Sequence, residues 1–304
     1  MRLPSLAPGF TTRFAPAPTG LLHLGHAVNA VWVWGIARAH GGRVLLRVED
    51  HDRGRCRPAY EAALLEDLDW LGLVPDGPGT DAFRAGPLAQ RQSDNTARYA
   101  AHLARLEADG QAYPCACSRA DVARAAGGGA ATGGEVRYPG TCRERAIAPD
   151  ATQARRVRMR PGTAETFDDL RLGPQAQDPD AQCGDLLVRD RTGHWTYQFA
   201  VVVDDHEQGV DLVIRGEDLL ASTGRQLRLA RMLGRPSPPR FLHHPLLRHP
   251  DGRKLSKSAG DTGLAELRAA GHTRAEVLGL AAHLSGLQPS AAPIGPDALA
   301  DLFR

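Results

Sequence analysis

The stretch that most constrains this chain runs from Arg13 to Asp50. Arg13–Ala15 reads as a short strand ending in the prolines of "FAPAPTG". A helix follows over about Gly25–His40, apolar through Ala27, Val28, Val31, Trp34 and Ala37. "GGRVLLRVED" then supplies a turn and a continuous apolar strand that ends in acid at Glu49 and Asp50. Such a run suits a strand buried in a parallel sheet. Strand, helix and strand with short connections make a βαβ unit, right-handed by default. The expectation is an α/β domain.

Bulk properties set the outer limits. A chain of 304 residues can form one large domain or two modest ones around a well-buried core. With 42% hydrophobic and 24% charged residues it falls in the ordinary globular class. No apolar run approaches the roughly 20 residues needed to span a membrane. "MRLPSLAPGF" lacks the long apolar segment of a signal peptide, so the cytoplasm is the expected compartment. A net charge of +2 permits a nucleic-acid partner without arguing for one. Arginine far outnumbers lysine, as in GC-rich codon usage, which makes any lysine worth a look. The five cysteines are odd in number, and without a signal peptide they argue against a disulfide framework.

Pro58 stands in the first turn of a helix that Glu61–Leu71 continues, and Arg91–Asp109 reads as an amphipathic helix closed by Gly110. The pattern then changes. "YPCACSRADVARAAGGGAATGGEVRYPGTCRER" is rich in glycine and cysteine and carries no sustained periodicity beyond one short helix. It reads as an inserted subdomain. "GDLLVRDRTGHWTYQFAVVVDD" resumes strand-like patterning, with a hairpin turn near Thr192–Gly193, and "VDLVIRGEDLL" is a further strand. Ser222 is placed to cap a helix through Leu227 and Met232 to Gly234. From Phe241 on come the loop "RHPDGRKLSKSAG" and weakly helical segments, with a Pro/Ala linker at Pro289–Pro296. The expected organisation is 1–110 and 151–240 as two halves of one domain, 111–150 as the insertion, and 241–304 as a loop and helical C-terminal region.

Two short patterns carry chemistry. His23-Leu24-Gly25-His26 sets two imidazoles on one side of a strand-to-helix turn, where free N–H groups and the helix dipole suit phosphate. Both rings can donate to phosphate oxygens as charge moves onto a leaving pyrophosphate. Gly25 lets a flat ring such as adenine approach the backbone. Taken alone, this pattern fits a pair of structural histidines equally well. In "KLSKS", Lys254 and Lys257 are three apart in a glycine-bounded loop, where both can reach one anionic group, and Ser256 and Ser258 add donors. A solvated basic loop is the bland alternative. Three thiols at Cys115, Cys117 and Cys142, with Tyr138, make a candidate tetrahedral site suited to zinc, against free thiols in an insertion.

HxGH followed more than 200 residues later by KLSKS resembles the paired signatures of class I aminoacyl-tRNA synthetases. "RFAPAPTGLLHLGHA", "LLRVEDHDR", "YQFAVVVDDHEQGV" and "IRGEDLLASTGRQ" narrow the resemblance to the glutamyl branch, over most of Arg13–Ser258. The resemblance implies a Rossmann-type catalytic domain with a small inserted zinc-binding subdomain and a short helical C-terminal region. It also implies activation of an amino acid by ATP, with Mg2+: the substrate carboxylate attacks the α-phosphate, giving an aminoacyl-adenylate and pyrophosphate. By this resemblance Arg13 pairs with a substrate carboxylate through its planar fork. Glu49 takes the substrate ammonium. Tyr197 and Arg215 complete a glutamate pocket beside Phe14, Ala15, Pro16 and Ala17. Lys257, with Lys254 nearby, sits on the ATP phosphates, faced by His23, Gly25 and His26. Ala17 is a departure, because the family usually has Ser there, and only a backbone contact is left. The bland alternative for Glu49 and Arg215 is a surface ion pair at strand ends.

The CxC…YxxxC spacing resembles the zinc site of the short glutamyl-Q tRNA(Asp) synthetases, with a longer spacer, "RAAGGGAATGGEV", that a glycine loop absorbs. Four filled positions imply one structural zinc (Zn2+) per chain, and Cys56 and Cys183 read as ordinary thiols. Only 46 residues follow Ser258, too few for the large helical anticodon-binding region of a glutamyl-tRNA synthetase. The resemblance therefore implies tRNA-independent activation of L-glutamate. Transfer follows to a hydroxyl of queuosine at the wobble position of tRNA(Asp). The alternatives are a truncated synthetase charging a tRNA 3′ end and a non-catalytic tRNA-binding paralogue. Arg155, Arg156, Arg158, Arg160, Arg225, Arg228 and Arg231 are candidate phosphate contacts, against a solvated charged face. A monomer is expected, with no membrane partner.

Overall fold

The computed structural model describes residues 6–127, 136–148, 150, 152–235, 237–247 and 263–304. The chain begins β1 (Thr11–Phe14), α1 (Leu24–Ala39), β2 (Arg43–Leu46), α2 (Pro58–Leu71), α3 (Thr80–Ala85) and α4 (Thr96–Ala108). It continues β3 (Ala112–Cys115), α5 (Arg119–Ala125), β4 (Ala154–Val157), β5 (Glu165–Asp169), β6 (Gly173–Gln177), α6 (Pro179–Cys183) and β7 (Leu186–Arg189). It ends with α7 (Tyr197–Glu207), β8 (Leu212–Gly216), α8 (Thr223–Met232), β9 (Arg240–His244), α9 (Leu264–Ala269), α10 (Arg274–Leu284) and a 3-10 segment, Pro296–Phe303.

The βαβ unit is present. β1 and β2 pair in parallel, Thr11 against Arg43 through Phe14 against Leu46. β8 and β9 pair in parallel, β5 joins β9, and β6 closes that sheet antiparallel to β5. The two sheets meet where the Asp211 N–H donates to the Thr11 carbonyl at 2.8 Å and the Asp211 carboxylate accepts the Thr11 N–H at 2.9 Å. The carboxyl ends of β1, β2, β8 and β9 therefore open to one side, where ligands bind in folds of this kind.

Helix α1 lies at the centre of the main core, buried from Ala27 and Val28 through Ala30–Ala37. It is covered by the strands on one side and by α10 and the C-terminal segment on the other. A Cβ at Gly35 would stand 2.2 Å from the Phe303 ring, so the glycine lets that segment dock. A second core joins α4, α7 and α8 through Tyr99, Leu103, Phe199, Val203 and Leu229. A separate antiparallel sheet, β3-β4-β7, carries Cys115 at its edge. Among the described residues no helix is long and apolar enough to cross a membrane.

Three local expectations are corrected. "YQFAVVVDD" is helix α7, not strand. Phe199–Val203 are all buried, so the run has no polar face to betray its period, and a short apolar run does not distinguish strand from helix. Ser222 does not cap α8 with its side chain, because the hydroxyl accepts the Gln198 amide at 2.9 Å and a 3-10 turn leads in. The helix expected over Arg91–Asp109 is a 3-10 turn, Gln92–Asn95, followed by α4. Gly110 ends it with φ +64°. Thr192–Gly193 does form a turn, the Asp190 N–H donating to the His194 carbonyl at 2.9 Å.

Candidate active site and metal centre

The strand ends surround a cleft of about 860 Å³. Its lining includes Arg13, Phe14, Ala15, Pro16, Ala17, His23, Gly25, His26, Glu49, Tyr197 and Arg215. Those are the nucleotide and amino-acid residues singled out in the sequence, apart from Lys254 and Lys257, which lie outside the described residues. Sequence reasoning passed over His51, Asn29 and His244 in the lining, and Arg47, Asp205 and His243 behind it.

His23 is the N-cap of α1. Its Nδ1 accepts the Gly25 N–H at 3.0 Å, and His26 Nδ1 accepts the His23 N–H at 3.2 Å. Each ring uses Nδ1 as an acceptor, so in the neutral form each carries its proton on Nε2. That tautomer makes both rings, 4.2 Å apart between centroids, donors at the helix mouth. Gly25 has a nearer purpose than an approaching ligand: a Cβ there would stand 2.8 Å from His23 Cε1.

At the other end of the cleft Arg47, wholly buried, donates to Glu49 at 3.0 Å and to Asp205 at 2.7 Å. Arg13 Nε meets the same Asp205 oxygen at 3.2 Å. Burial pushes Asp205 up, but Arg13 and Arg47 outweigh it and hold the carboxyl below its ordinary value. Arg47 is held above its usual range: burial works against its charge, and Asp205 and Glu49 more than offset that. Two cations and two carboxylates thus balance there.

Arg215 is equally buried and differently surrounded. Its Nε donates to His243 Nε2 at 3.1 Å, one terminal nitrogen to Gln226 Oε1 at 2.7 Å, the other to Thr223 Oγ1 at 3.0 Å and the Leu219 carbonyl at 3.2 Å. Among the described residues no carboxylate pairs with it directly. Burial lowers its pKa, and burial raises that of Tyr197 beside it. Neither Glu49 nor Arg215 sits in a surface ion pair, because both are buried.

The metal-ligating cluster assembles from three segments. Cys115, Cys117 and Cys142 bring their sulfurs within 4.8 Å of one another. Tetrahedral zinc with Zn–S bonds of about 2.3 Å sets sulfurs about 3.8 Å apart, and Cys117 and Cys142 stand at 3.5 Å. The Tyr138 hydroxyl lies 3.4 Å from Cys115 Sγ and accepts the Cys142 N–H at 2.8 Å. Burial pushes the Cys117 thiol up to about 12. Burial would raise Cys142 too, but the Ala116 N–H and its other hydrogen bonds outweigh it and hold the thiol below its ordinary value. The Arg156 guanidinium covers the Tyr138 ring at 3.7 Å. Gly184, with φ +65°, makes room for Tyr138, since a Cβ there would lie 2.0 Å from the Tyr138 carbonyl oxygen. This donor set fits a thiophilic metal.

The arginines expected to meet phosphates are mostly committed elsewhere. Arg155 pairs with Glu107 at 2.8 Å, and Arg156 donates to the Asp185 carbonyl. Arg228 and Arg231 both pair with Glu165, and Arg158 pairs with Glu144. Arg155, Arg156, Arg225 and Arg228 are buried, while Arg160 is exposed. Spacing along a strand or helix showed their charge and not their partners.

Comparison with known proteins places this geometry. A family profile described as "tRNA synthetases class I (E and Q), catalytic domain" matches residues 10–291. A glutamyl-Q tRNA(Asp) synthetase of Symbiobacterium thermophilum is 44% identical over 96% of this chain and 91% of its own length. That of Geobacter sulfurreducens is 44% identical over 83% of this chain and 77% of its own. The chain belongs to the glutamyl-Q tRNA(Asp) synthetase family of class I synthetases. A solved glutamate tRNA ligase of Elizabethkingia meningosepticum, in complex with its amino acid, superposes with a TM-score of 0.78 at 26% identity. The match covers 97% of this chain and 65% of that ligase, so the chain spans about two thirds of its length. The α/β fold expected from the first 50 residues is the fold of that catalytic domain.

Proposed function

We propose that this chain activates L-glutamate with ATP and, without needing tRNA for that step, forms glutamyl-adenylate. It then transfers the glutamyl group to queuosine at the wobble position of tRNA(Asp). A glutamate carboxylate oxygen attacks the α-phosphorus and pyrophosphate leaves. A queuosine hydroxyl oxygen then attacks the acyl carbon, AMP leaves, and the hydroxyl proton is released. The chain's relatives at 44% identity are glutamyl-Q tRNA(Asp) synthetases, which supports the reading. The observation that carries it is Arg215: a buried cation with only neutral direct partners, facing a cleft beside Tyr197, is suited to a side-chain carboxylate.

In this reading Arg13, with Ala15 and Ala17 nearby, binds a carboxylate, Glu49 takes the ammonium, and Tyr197 and Arg215 receive the γ-carboxylate. His23 and His26 donate through Nε2 to the phosphates over Gly25. Lys254 and Lys257 neutralise the phosphates together with Mg2+, and these are the chain's only lysines among 37 basic residues. Cys115, Cys117, Tyr138 and Cys142 hold one structural zinc, which would tie the loop to the β3 edge. The protein acts as a monomer in the cytoplasm.

Glutamate-dependent ATP–pyrophosphate exchange without tRNA tests the first step. Labelled glutamate offered to tRNA(Asp) with and without queuosine tests the second. Label on queuosine-bearing tRNA(Asp) alone is expected, and label on the 3′ end of unmodified tRNA(Glu) overturns the reading. Metal analysis is expected to give one zinc per chain. Cys142→Ser should lose it while retaining exchange within about 2-fold, because the cluster has its own core apart from the cleft.

A further inference from the structure

Arg215 is held by a shell that supplies hydrogen bonds without supplying charge. A guanidinium only donates, so His243 Nε2, 3.1 Å from Arg215 Nε, accepts and carries no proton. The His243 proton is then on Nδ1, which stands 2.6 Å from Asp169 Oδ2. Asp169 is fixed in turn by the backbone N–H groups of His243, Arg171 and Leu172, at 3.1, 3.1 and 2.9 Å. His243 and Asp169 are 0% and 2% exposed, so no water competes for the ring. Burial also keeps His243 below its ordinary pKa, in the neutral form this contact requires. The remaining partners, Gln226, Thr223 and the Leu219 carbonyl, are neutral as well, and Gln226 is braced by Gln198 at 2.8 Å.

A carboxylate at the place of His243 or Gln226 would orient Arg215 equally well and neutralise it. The imidazole keeps the Asp169 charge one ring away. We propose that this neutral shell is what selects a side-chain carboxylate over an amide, with His243 and Gln226 as positioning residues and Asp169 holding His243 as an acceptor. The inference rests on the glutamate-activating reading above and goes beyond it. Arg215 alone would donate a hydrogen bond to either side chain, whereas a buried cation with no carboxylate in direct contact gains most from an anion. Discrimination then lies in residues that never touch the substrate.

The test is glutamate- and glutamine-dependent pyrophosphate exchange with the full chain. Gln226→Glu is nearly isosteric and hands Arg215 a carboxylate. It should lower kcat/KM for glutamate roughly 10²-fold, mainly through KM, and the glutamate-to-glutamine ratio by at least about 10-fold. KM for ATP should stay unchanged. His243→Leu should lower kcat/KM for glutamate by a similar factor, and His243→Gln, which restores a donor and an acceptor, should recover part of it. Wild-type ratios in Gln226→Glu overturn the inference even if His243→Leu fails to fold. Absence of glutamate-dependent exchange by the wild-type chain instead sinks the glutamate reading, and this inference with it.

Discussion

Buried arginines at two ends of one cleft, Arg13 with Arg47 behind it and Arg215 alone, are balanced in opposite ways. Arg13 and Arg47 share Asp205, and Arg47 also holds Glu49. Arg215 has His243, Gln226, Thr223 and a carbonyl. The first group is complete without ligand, because its cations and carboxylates cancel. The second is left with net charge in a place where net charge is costly. A fold tolerates such a residue where a ligand completes it, so substitutions at the first group should read out in stability and, on the proposed function, those at Arg215 in selectivity.

The contrast can be broken by substitution, and the largest effect should come from the unbalanced end. Arg215→Met should cut glutamate-dependent exchange roughly 10³-fold, the loss of a buried charge-assisted contact. It should cost less stability than removing a partner at the balanced end, as urea unfolding would show. A loss of stability as large as that of Asp205→Ala would mean that Arg215 is balanced after all.

Asp205→Ala should destabilise by about 3–5 kcal/mol near neutral pH, because Arg13 and Arg47 lose a shared partner. The folded-state pKa of Asp205 is depressed, so its contribution is present above the unfolded value and lost as pH falls through the folded one. The penalty of Asp205→Ala should therefore shrink in acid. A penalty that is constant with pH would assign it to packing.

The same contrast appears among carboxylates and gives the smallest effect. Asp67 in α2 is 0% exposed, neither carboxyl oxygen has a hydrogen-bond partner among the described residues, and Arg268 comes only to 3.9 Å. Burial pushes its pKa up to about 6. The sign is opposite to that of Asp205: the folded state binds the proton more tightly, so stability is fully present below the unfolded pKa and lost as pH rises through about 6. Asp67→Asn should gain about 2 kcal/mol at pH 8 and almost nothing at pH 4, read from denaturant midpoints at the two pH values. An equal gain at both would show that folding leaves the Asp67 pKa at its unfolded value, so that burial does not raise it.

Much of the site was legible along the chain. The βαβ unit announced itself through one helical and one strand-like apolar run, and its turns placed Arg13, His23, His26 and Glu49 where strands end. Tyr197 and Arg215 came from resemblance. What the chain did not reveal has two causes. Asp205 lies at the end of an apolar run buried all round, so α7 looked like strand and its acids like a strand terminus. Arg155, Arg156, Arg225 and Arg228 looked available because arginine usually is, yet the fold buries them.

By itself the sequence determined the α/β class, the helix mouth with its two imidazoles, and a set of three thiols and a phenol able to meet. Those features follow from local period, turn chemistry and side-chain type. Only the tertiary structure decided which charges are cancelled. Arg13 reaches Asp205 across 192 residues, and His243 reaches Asp169 across 74. Whether a buried arginine finds a carboxylate or a neutral ring depends on which strand ends the sheet brings together, and neighbours along the chain carry no record of that.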